Sequence, residues 1–270
     1  MKKVLLGLSD NIARNKEKIR LWSESFKRHS DGDVILLAAN MSEDDVKACE
    51  DLGLLFKEVK VDEIGHINHK RLEHMANYLK TSDADVFVVT DVFDVAFQGD
   101  PFLKMDLANF DFFASGEGVE VHQDPWNFDN IAKLFPDYLE KCLHNEIVCS
   151  GVVAGKRDAL TRVYERMFEL CEASPNSHAI KDQAALIVMI ANEEIQNLKL
   201  FNLDEGWAMH CAVAGPTQFF TAWGFNNNIK YGIPMMKDGL VRTAAEAPYD
   251  IVHQFNRVPE WHEEIKAPYL

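Results

Sequence analysis

The chain of 270 residues is 47% apolar and 26% charged, a composition typical of a soluble globular protein with one large core. Its formal net charge of −15 argues against a nucleic-acid-binding surface and against adhesion to anionic lipid. The charge does not exclude a phosphate-bearing ligand, because a bound divalent cation supplies local positive charge. We therefore expect a single globular domain with no nucleic-acid partner.

The cysteines and the N-terminal sequence bear on the cellular compartment. The five cysteines are scattered and never spaced C-x-x-C, which predicts reduced thiols and gives little support to a zinc site. The apolar run that begins at Val4 is too short for a secretion signal and ends at Asp10. No apolar stretch approaches the ~20 residues that span a bilayer. We expect a cytoplasmic protein without a membrane span.

Apolar runs alternate with helical patterns over residues 4–61. The resulting order, β-α-β-α-β, is typical of a parallel sheet with crossover helices. Near the end of the first run, Gly7, Leu8 and Ser9 reach the edge where a nucleotide commonly meets an α/β sheet, although an ordinary strand exit has the same appearance. The predicted strands are Val4–Leu8, Val34–Ala38 and Leu54–Val61, and the predicted helices run from Asn15 to His29 and from Ser42 to near Gly53.

The run Val86–Val89 is the feature around which the sequence is organised. It is uninterrupted by polar residues, which predicts a strand buried on both faces of a parallel sheet. Asp91 and Asp94 follow at once, where two carboxylates can share a divalent cation that in turn holds phosphates. The alternative is a polar turn in which Asp91 caps a short helix. Arg71, on the preceding helix Asn68–Leu79, is either solvated or reaches the phosphates or carboxylates at this strand end.

Two segments lack clear periodicity. Residues 119–148 contain several aromatic side chains among prolines and acids, which predicts a segment inserted over the sheet. Residues 204–270 are loop-rich in pattern and contain three tryptophans. We expect both segments to shape the acceptor side of a ligand site, with Trp126 and Trp223 among the side chains involved.

Two further motifs stand between and beside these segments. The predicted strand Ile147–Gly155 has Ser150 and Gly151 at its centre, and such small residues weaken a strand unless a ligand approaches closely or the strand bends. Asp182 and Gln183 open an apolar helix, so Asp182 is either a helix-capping acid or an acid at a ligand site.

Four motifs stand in a fixed order along the chain: Thr90–Val95, Cys149–Gly155, Asp182–Gln183 and Val252–Arg257. The series resembles that of nucleotide-sugar glycosyltransferases with the GT-A fold, which include microbial enzymes and the capsid-glycan glycosyltransferases of chlorella viruses. The acid pair is also similar to that of the collagen-modifying glycosyltransferase domains. The resemblance covers roughly residues 1–260.

The resemblance implies a fold, two substrates and a metal. The fold is a GT-A-type (Rossmann-like), mostly parallel central sheet flanked by helices. Its nucleotide-binding part spans about residues 1–115 and its donor and acceptor part about residues 116–270. The implied donor is a UDP-sugar, the acceptor a glycan or glycoconjugate, and the cofactor Mn²⁺ or Mg²⁺. The order of the motifs favours a retaining enzyme over an inverting one.

The resemblance also assigns roles to residues. Asp91, Asp94 and His253 would bind the metal, although the spacing here is D-x-x-D where the family has D-x-D, so one acid could act through water. Asp182 would stand nearest the sugar, as a general base in an inverting enzyme or as a stabilising or positioning group in a retaining one. The other histidines have no comparable context, and we assign them no role. Candidate contacts to the nucleotide or donor are Gly7, Leu8, Ser9, Arg71, Thr90, Ser150, Gly151, Gln183, Gln254 and Arg257.

Three other classes of protein are weighed against this interpretation. An aspartate-dependent phosphatase needs D-x-D after the strand, and the acids here are one residue too far apart. A sugar nucleotidyltransferase normally has a basic, glycine-rich loop after its first strand, which this sequence lacks. A non-catalytic carbohydrate- or nucleotide-binding protein on a decayed transferase fold stays open, although all three metal-ligand positions are occupied by suitable residues.

Overall fold

A computed structural model describes residues 1–61, 67–174, 180–211 and 230–269. Trp223 and His66 lie outside these residues. The strands are β1 (Lys3–Ser9), β2 (Asp33–Ala39), β3 (Leu55–Val59), β4 (Val86–Thr90), β5 (Val95–Phe97), β6 (Phe112–Glu120), β7 (Glu146–Lys156), β8 (Leu198–Phe201), β9 (Ala208–His210), β10 (Met235–Lys237), β11 (Leu240–Arg242) and β12 (Ile251–His253). The α-helices are α1 (Lys16–His29), α2 (Glu43–Asp51), α3 (Ile67–Thr81), α4 (Pro125–Leu134), α5 (Leu139–Cys142), α6 (Arg157–Ala173), α7 (Asp182–Ala191) and α8 (Pro259–Lys266).

The predicted mostly parallel sheet is confirmed. It has seven strands in the order β3-β2-β1-β4-β7-β6-β8. Strands β1 to β4 run parallel to one another, and β8 runs parallel to β6. Strand β7 alone is reversed, pairing antiparallel with β4 on one side and β6 on the other. In the register of β7 with β4, Val152 lies opposite Thr90, so the middle of β7 lies beside the carboxyl end of β4.

Strand β4 is buried on both faces, as its apolar run predicts. Val86 and Val88 pack into the core beneath α1 and α2, whereas Phe87 and Val89 pack into the core beneath α3, α6 and α7. All five residues of the strand are buried. Because successive strand residues point to opposite faces, helices covering both faces require a continuous apolar run.

The inserted segment, residues 119–148, is more regular than its sequence suggested. It contains α4, which begins at Pro125 after Asp124, whose side chain accepts a hydrogen bond from the Trp126 backbone N–H at 2.9 Å. A capping acid followed by proline at the first helical position favours a helix start. Helices α4 and α5 pack against α7, and a hydrogen bond from Gln183 to Asn127 holds α4 at the end of α7 where Asp182 lies.

No helix within the described residues is long and apolar enough to cross a lipid bilayer.

Candidate active site

A small second sheet brings distant parts of the chain to the end of β4. Its strand order is β5-β12-β9, with β12 antiparallel to β5 and parallel to β9. In this register His253 lies opposite Val95 on one side and His210 on the other. The Gln254 backbone N–H donates to the Asp94 carbonyl at 2.7 Å. The C-terminal segment therefore folds back over the ligand edge of the main sheet and delivers His253 to the acid pair.

Asp91, Asp94 and His253 meet at one point. His253 Nε2 lies 3.3 Å from Asp91 Oδ2 and 3.6 Å from Asp94 Oδ1. The imidazole is fully buried, and its Nε2 has no aligned hydrogen-bond partner among the described residues. Ligands about 2.1 Å from an octahedral cation stand about 3.0 Å apart at right angles. The spacing, the mixed O and N donors and the unpaired Nε2 all fit a divalent cation such as Mn²⁺.

Gly151 provides the space that this cluster needs. The Asp91 backbone N–H donates to the Gly151 carbonyl at 2.8 Å, because β7 runs alongside the end of β4. A Cβ atom at residue 151 would lie 2.5 Å from His253 Cε1 and 2.7 Å from Asp91 Oδ2. The close approach that a glycine within a strand suggests is thus an approach by the acid and the histidine.

Arg71 joins two of the acids. Its guanidinium makes a short ion pair with Asp91 Oδ1, and its Nη2 donates to Asp182 Oδ2 at 2.5 Å. Asp182 is almost fully buried at the start of α7. Of the two possibilities raised by the sequence, Arg71 takes the one in which it reaches carboxylates. The two oxygens of Asp91 are divided between Arg71 and His253, which orients the carboxylate.

The site carries an excess of negative charge. Three carboxylates, Asp91, Asp94 and Asp182, face one buried guanidinium, Arg71. Burial alone would raise the pKa of Asp91, but Arg71 and His253 outweigh it and hold that pKa well below its usual range. Burial, together with the charge on Asp91, raises the pKa of Asp94. A divalent cation beside Asp94 would offset this unfavourable charge, so the electrostatics agree with the geometry.

A cleft of about 230 Å³ opens beside the acids. It is lined by the ends of β1 and β4, including Leu8, Ser9, Arg71, Asp91 and Asp94. A larger hollow of about 640 Å³ lies at the opposite, amino-terminal ends of β1 and β4. Ligands of α/β sheets bind at the carboxyl ends of strands. The smaller cleft, which contains the acid cluster, is therefore the candidate active site.

Of three other predicted donor contacts, two engage protein side chains and the third has an unpaired oxygen. The Thr90 hydroxyl accepts a hydrogen bond from Trp22 Nε1 at 2.8 Å. Gln183 Nε2 donates to Asn127 Oδ1 at 2.8 Å, which connects α7 to the inserted segment. Gln254 adopts a left-handed backbone conformation, with φ of 59°, and its buried Oε1 has no partner among the described residues. Gln254 is therefore the one of these three with an unused polar atom near the cluster.

The remaining predicted contacts lie around the cluster. A Cβ at Gly7 would meet Val92 and Trp22, so its lack of a side chain serves packing. Ser150 is partly exposed beside Gly151. Arg257 is exposed, and its charge acts on Asp94. Their contacts with a donor stay predictions.

Three buried residues near the site were missed from the sequence. Cys149 and His210 lie behind His253, and burial raises the pKa of the Cys149 thiol and lowers that of the His210 imidazole well below its usual value. Burial also raises the pKa of Glu117 to about 8. For His210, the sequence held one indication: β9 and β12 each consist of two apolar residues followed by a histidine.

The fold is similar to that of solved glycosyltransferases. These include the galactosyltransferase LgtC in complex with donor and acceptor sugar analogues, an active-site mutant of LgtC, and the bifunctional glycosyltransferase WbbM. Each aligns with 93% of this chain at 12% sequence identity and a TM-score of 0.57. The alignment spans 86% of the LgtC chains and 45% of the WbbM chain.

No protein-family model and no curated protein sequence matches the chain. The structural likeness shows a GT-A-type fold and confirms the fold class predicted from the sequence.

Proposed function

We propose that the protein is a metal-dependent glycosyltransferase that moves a sugar from a nucleotide diphosphate, a UDP-sugar, to a hydroxyl of a glycan or glycoconjugate. The observation that carries this proposal is the meeting of Asp91, Asp94 and His253 at the carboxyl edge of a GT-A-type sheet. Bound Mn²⁺ or Mg²⁺ would act there as a Lewis acid on the departing diphosphate.

The protein side chains divide the remaining work. Arg71 fixes the orientation of Asp91, and the C-terminal segment that carries His253 keeps that imidazole buried against the partly exposed acids. Leu8 and Ser9 line the cleft where a nucleotide would lie. The exposed Arg257 is in position to contribute positive charge toward the diphosphate.

Asp182 is the acid that we assign to the sugar. Its Oδ2 is already engaged by Arg71, so a proton taken from an acceptor hydroxyl would have to go to the other carboxylate oxygen. This arrangement favours a positioning or charge-stabilising role over general-base catalysis. We therefore propose a retaining reaction, in which no protein base at this position needs to activate the acceptor.

A screen of nucleotide sugars tests the proposal. Thermal unfolding is measured with each candidate, with and without Mn²⁺, because a ligand at 100 times its dissociation constant stabilises the folded state by about 2.7 kcal/mol. We expect stabilisation by UDP-sugars only when Mn²⁺ is present. With a donor identified, NMR of the product should show the same anomeric configuration as the donor.

The contrary outcomes are distinct. Metal-dependent nucleotide binding without sugar transfer or donor hydrolysis would show that the protein is a non-catalytic binding protein. Inversion at the anomeric carbon would keep the transferase but overturn the role given to Asp182. Binding of a UDP-sugar with the same affinity in the presence and absence of Mn²⁺ would contradict the proposed metal site.

A further inference from the structure

His210 lies directly behind the proposed metal ligand His253. The two residues end parallel neighbouring strands, β9 and β12, and face each other in register. Their Nδ1 atoms are 2.9 Å apart and their rings nearly perpendicular, at 88°. Both imidazoles are fully buried. Cys149 Sγ also faces His253 Nδ1, at the longer distance of 3.6 Å.

The short distance between the two nitrogens restricts where the protons are. Two ring nitrogens 2.9 Å apart form a hydrogen bond only if one of them carries a proton and the other does not. A cation can bind His253 Nε2 only if that nitrogen is unprotonated, and a neutral imidazole then carries its proton on Nδ1. His253 must therefore be the donor and His210 the acceptor. The reverse arrangement would leave the proton of a neutral His253 on Nε2, the nitrogen that the cation must bind.

We propose that His210 is a positioning residue: by accepting a hydrogen bond from His253 Nδ1, it fixes the tautomer and ring orientation that present Nε2 to a divalent cation. The inference rests on the proposed function, since it assigns a role behind that metal site. A histidine ligand commonly gives its second N–H to a fixed acceptor, and loss of that acceptor costs about 10–100-fold in metal affinity. The thiol of Cys149 is a weaker and more distant acceptor and does not replace His210.

The tautomer of His253 is directly measurable in the metal-free protein. Long-range ¹H–¹⁵N NMR distinguishes protonated from unprotonated ring nitrogens, and comparison with His253→Ala assigns the signals. We expect His253 Nδ1 to carry a proton and His210 Nδ1 to carry none in the metal-free wild type. An unprotonated His253 Nδ1 in the metal-free wild type would overturn the inference, whatever any variant does.

Two variants separate hydrogen bonding from packing. His210→Asn places an amide oxygen where Nδ1 stands, whereas His210→Leu fills the space without an acceptor. Binding of Mn²⁺ alone is followed by the EPR signal of the free ion. We expect His210→Leu to lose about 10–100-fold in affinity and to show mixed His253 tautomers, while His210→Asn keeps most of the wild-type affinity.

The results distinguish this inference from the proposed function. If the wild type binds no Mn²⁺, both are overturned. If the wild type binds Mn²⁺ and both folded variants bind it with equal affinity, only the role of His210 is overturned. Thermal unfolding of each variant shows whether it folds. If His210→Leu does not fold, the position of the proton on His253 in the wild type still tests the role of His210.

Discussion

Gly151 and His253 are packed so closely that no side chain fits between them: a Cβ at residue 151 would lie 2.5 Å from His253 Cε1. The same Cβ would lie 2.7 Å from Asp91 Oδ2. The glycine therefore belongs to the construction of the proposed metal site. Its position beside the end of β4 follows from the register of β7, in which Val152 lies opposite Thr90.

Replacement of Gly151 by alanine should displace His253 and Asp91 and weaken Mn²⁺-dependent nucleotide binding by at least about tenfold, as expected when ligand geometry is disturbed. Calorimetry of UDP binding in the presence of Mn²⁺ measures the loss. Gly53→Ala is the matched control, because Gly53 has a left-handed backbone, with φ of 57°, and open space around it. It should lose about 1 kcal/mol of stability and keep its metal affinity. Equal metal affinity in both variants would contradict the role of Gly151.

Replacement of Arg71 by methionine should destabilise the fold by about 3 kcal/mol, because it leaves the carboxylates of Asp91 and Asp182 without their shared guanidinium. We expect the lower end of the range for buried pairs, since the side chain of Asp91 is 32% exposed and solvent screens part of the loss. Urea unfolding at neutral pH measures it. Arg166 also pairs with two acids, but its side chain is 39% exposed, so Arg166→Met should cost less than about 1 kcal/mol. Similar losses in the two variants would show that burial of the Arg71 network has little effect.

Replacement of Glu117 by glutamine should change how stability depends on pH. Burial first, and then the charge of Asp124, raise the pKa of Glu117 from 4.5 to about 8 in the folded state. Between these values the folded protein holds a proton that the unfolded chain has lost, so wild-type stability falls as pH rises through this window. At 1.36 kcal/mol for each pKa unit, the fall attributable to Glu117 is about 5 kcal/mol at most.

The measurement is the difference in unfolding free energy between wild type and Glu117→Gln at pH 5 and at pH 9. The variant should gain relative to wild type at the higher pH. Glu120→Gln, on the same strand but partly exposed, serves as the control. A constant difference across the two pH values would mean that Glu117 titrates normally.

Replacement of Trp126 by alanine should raise the acceptor KM with little change in stability. The indole of Trp126 is 47% exposed at the start of α4. The next residue, Asn127, accepts a hydrogen bond from Gln183, the neighbour of Asp182 in the chain. Aromatic faces of this kind stack on sugar rings, and truncation of a half-exposed side chain removes little core packing. Leu55→Ala, on the edge strand β3, is a control for loss of an exposed apolar side chain. Unchanged acceptor kinetics in Trp126→Ala would contradict the prediction that residues 119–148 shape the acceptor site. The companion prediction for Trp223 falls outside the described residues.

Local signals in the sequence accounted for the first part of the fold, from β1 to the end of β4. The continuous apolar run of β4 predicted its burial, and Ser42 forms the expected N-cap, in a reciprocal capping box with Asp45. The convergence of Asp91 and Asp94 followed from their place at the end of a buried strand. These features depend on residues close together in the chain, and periodicity and capping chemistry report such features directly.

Long-range pairing was the part that the sequence did not show. Strands β9 and β12 have three residues each, too few for a periodic pattern, and their register alone sets His210 against His253. The raised pKa of Glu117 depends on its burial and on the charge of Asp124, a residue of the inserted segment. The prediction that His253 approaches the acids came from the resemblance to a known family and not from any local pattern.

Calorimetry of UDP binding with and without Mn²⁺, on wild type, Asp94→Asn and His253→Ala, tests the shared metal site most directly. The account predicts that Mn²⁺ strengthens UDP binding to the wild type and that both variants lose most of this metal-dependent gain, with metal-free unfolding nearly unchanged. Arg166→Met, remote from the cluster, should bind as the wild type does. Wild-type metal-dependent affinity in both Asp94→Asn and His253→Ala would contradict the account.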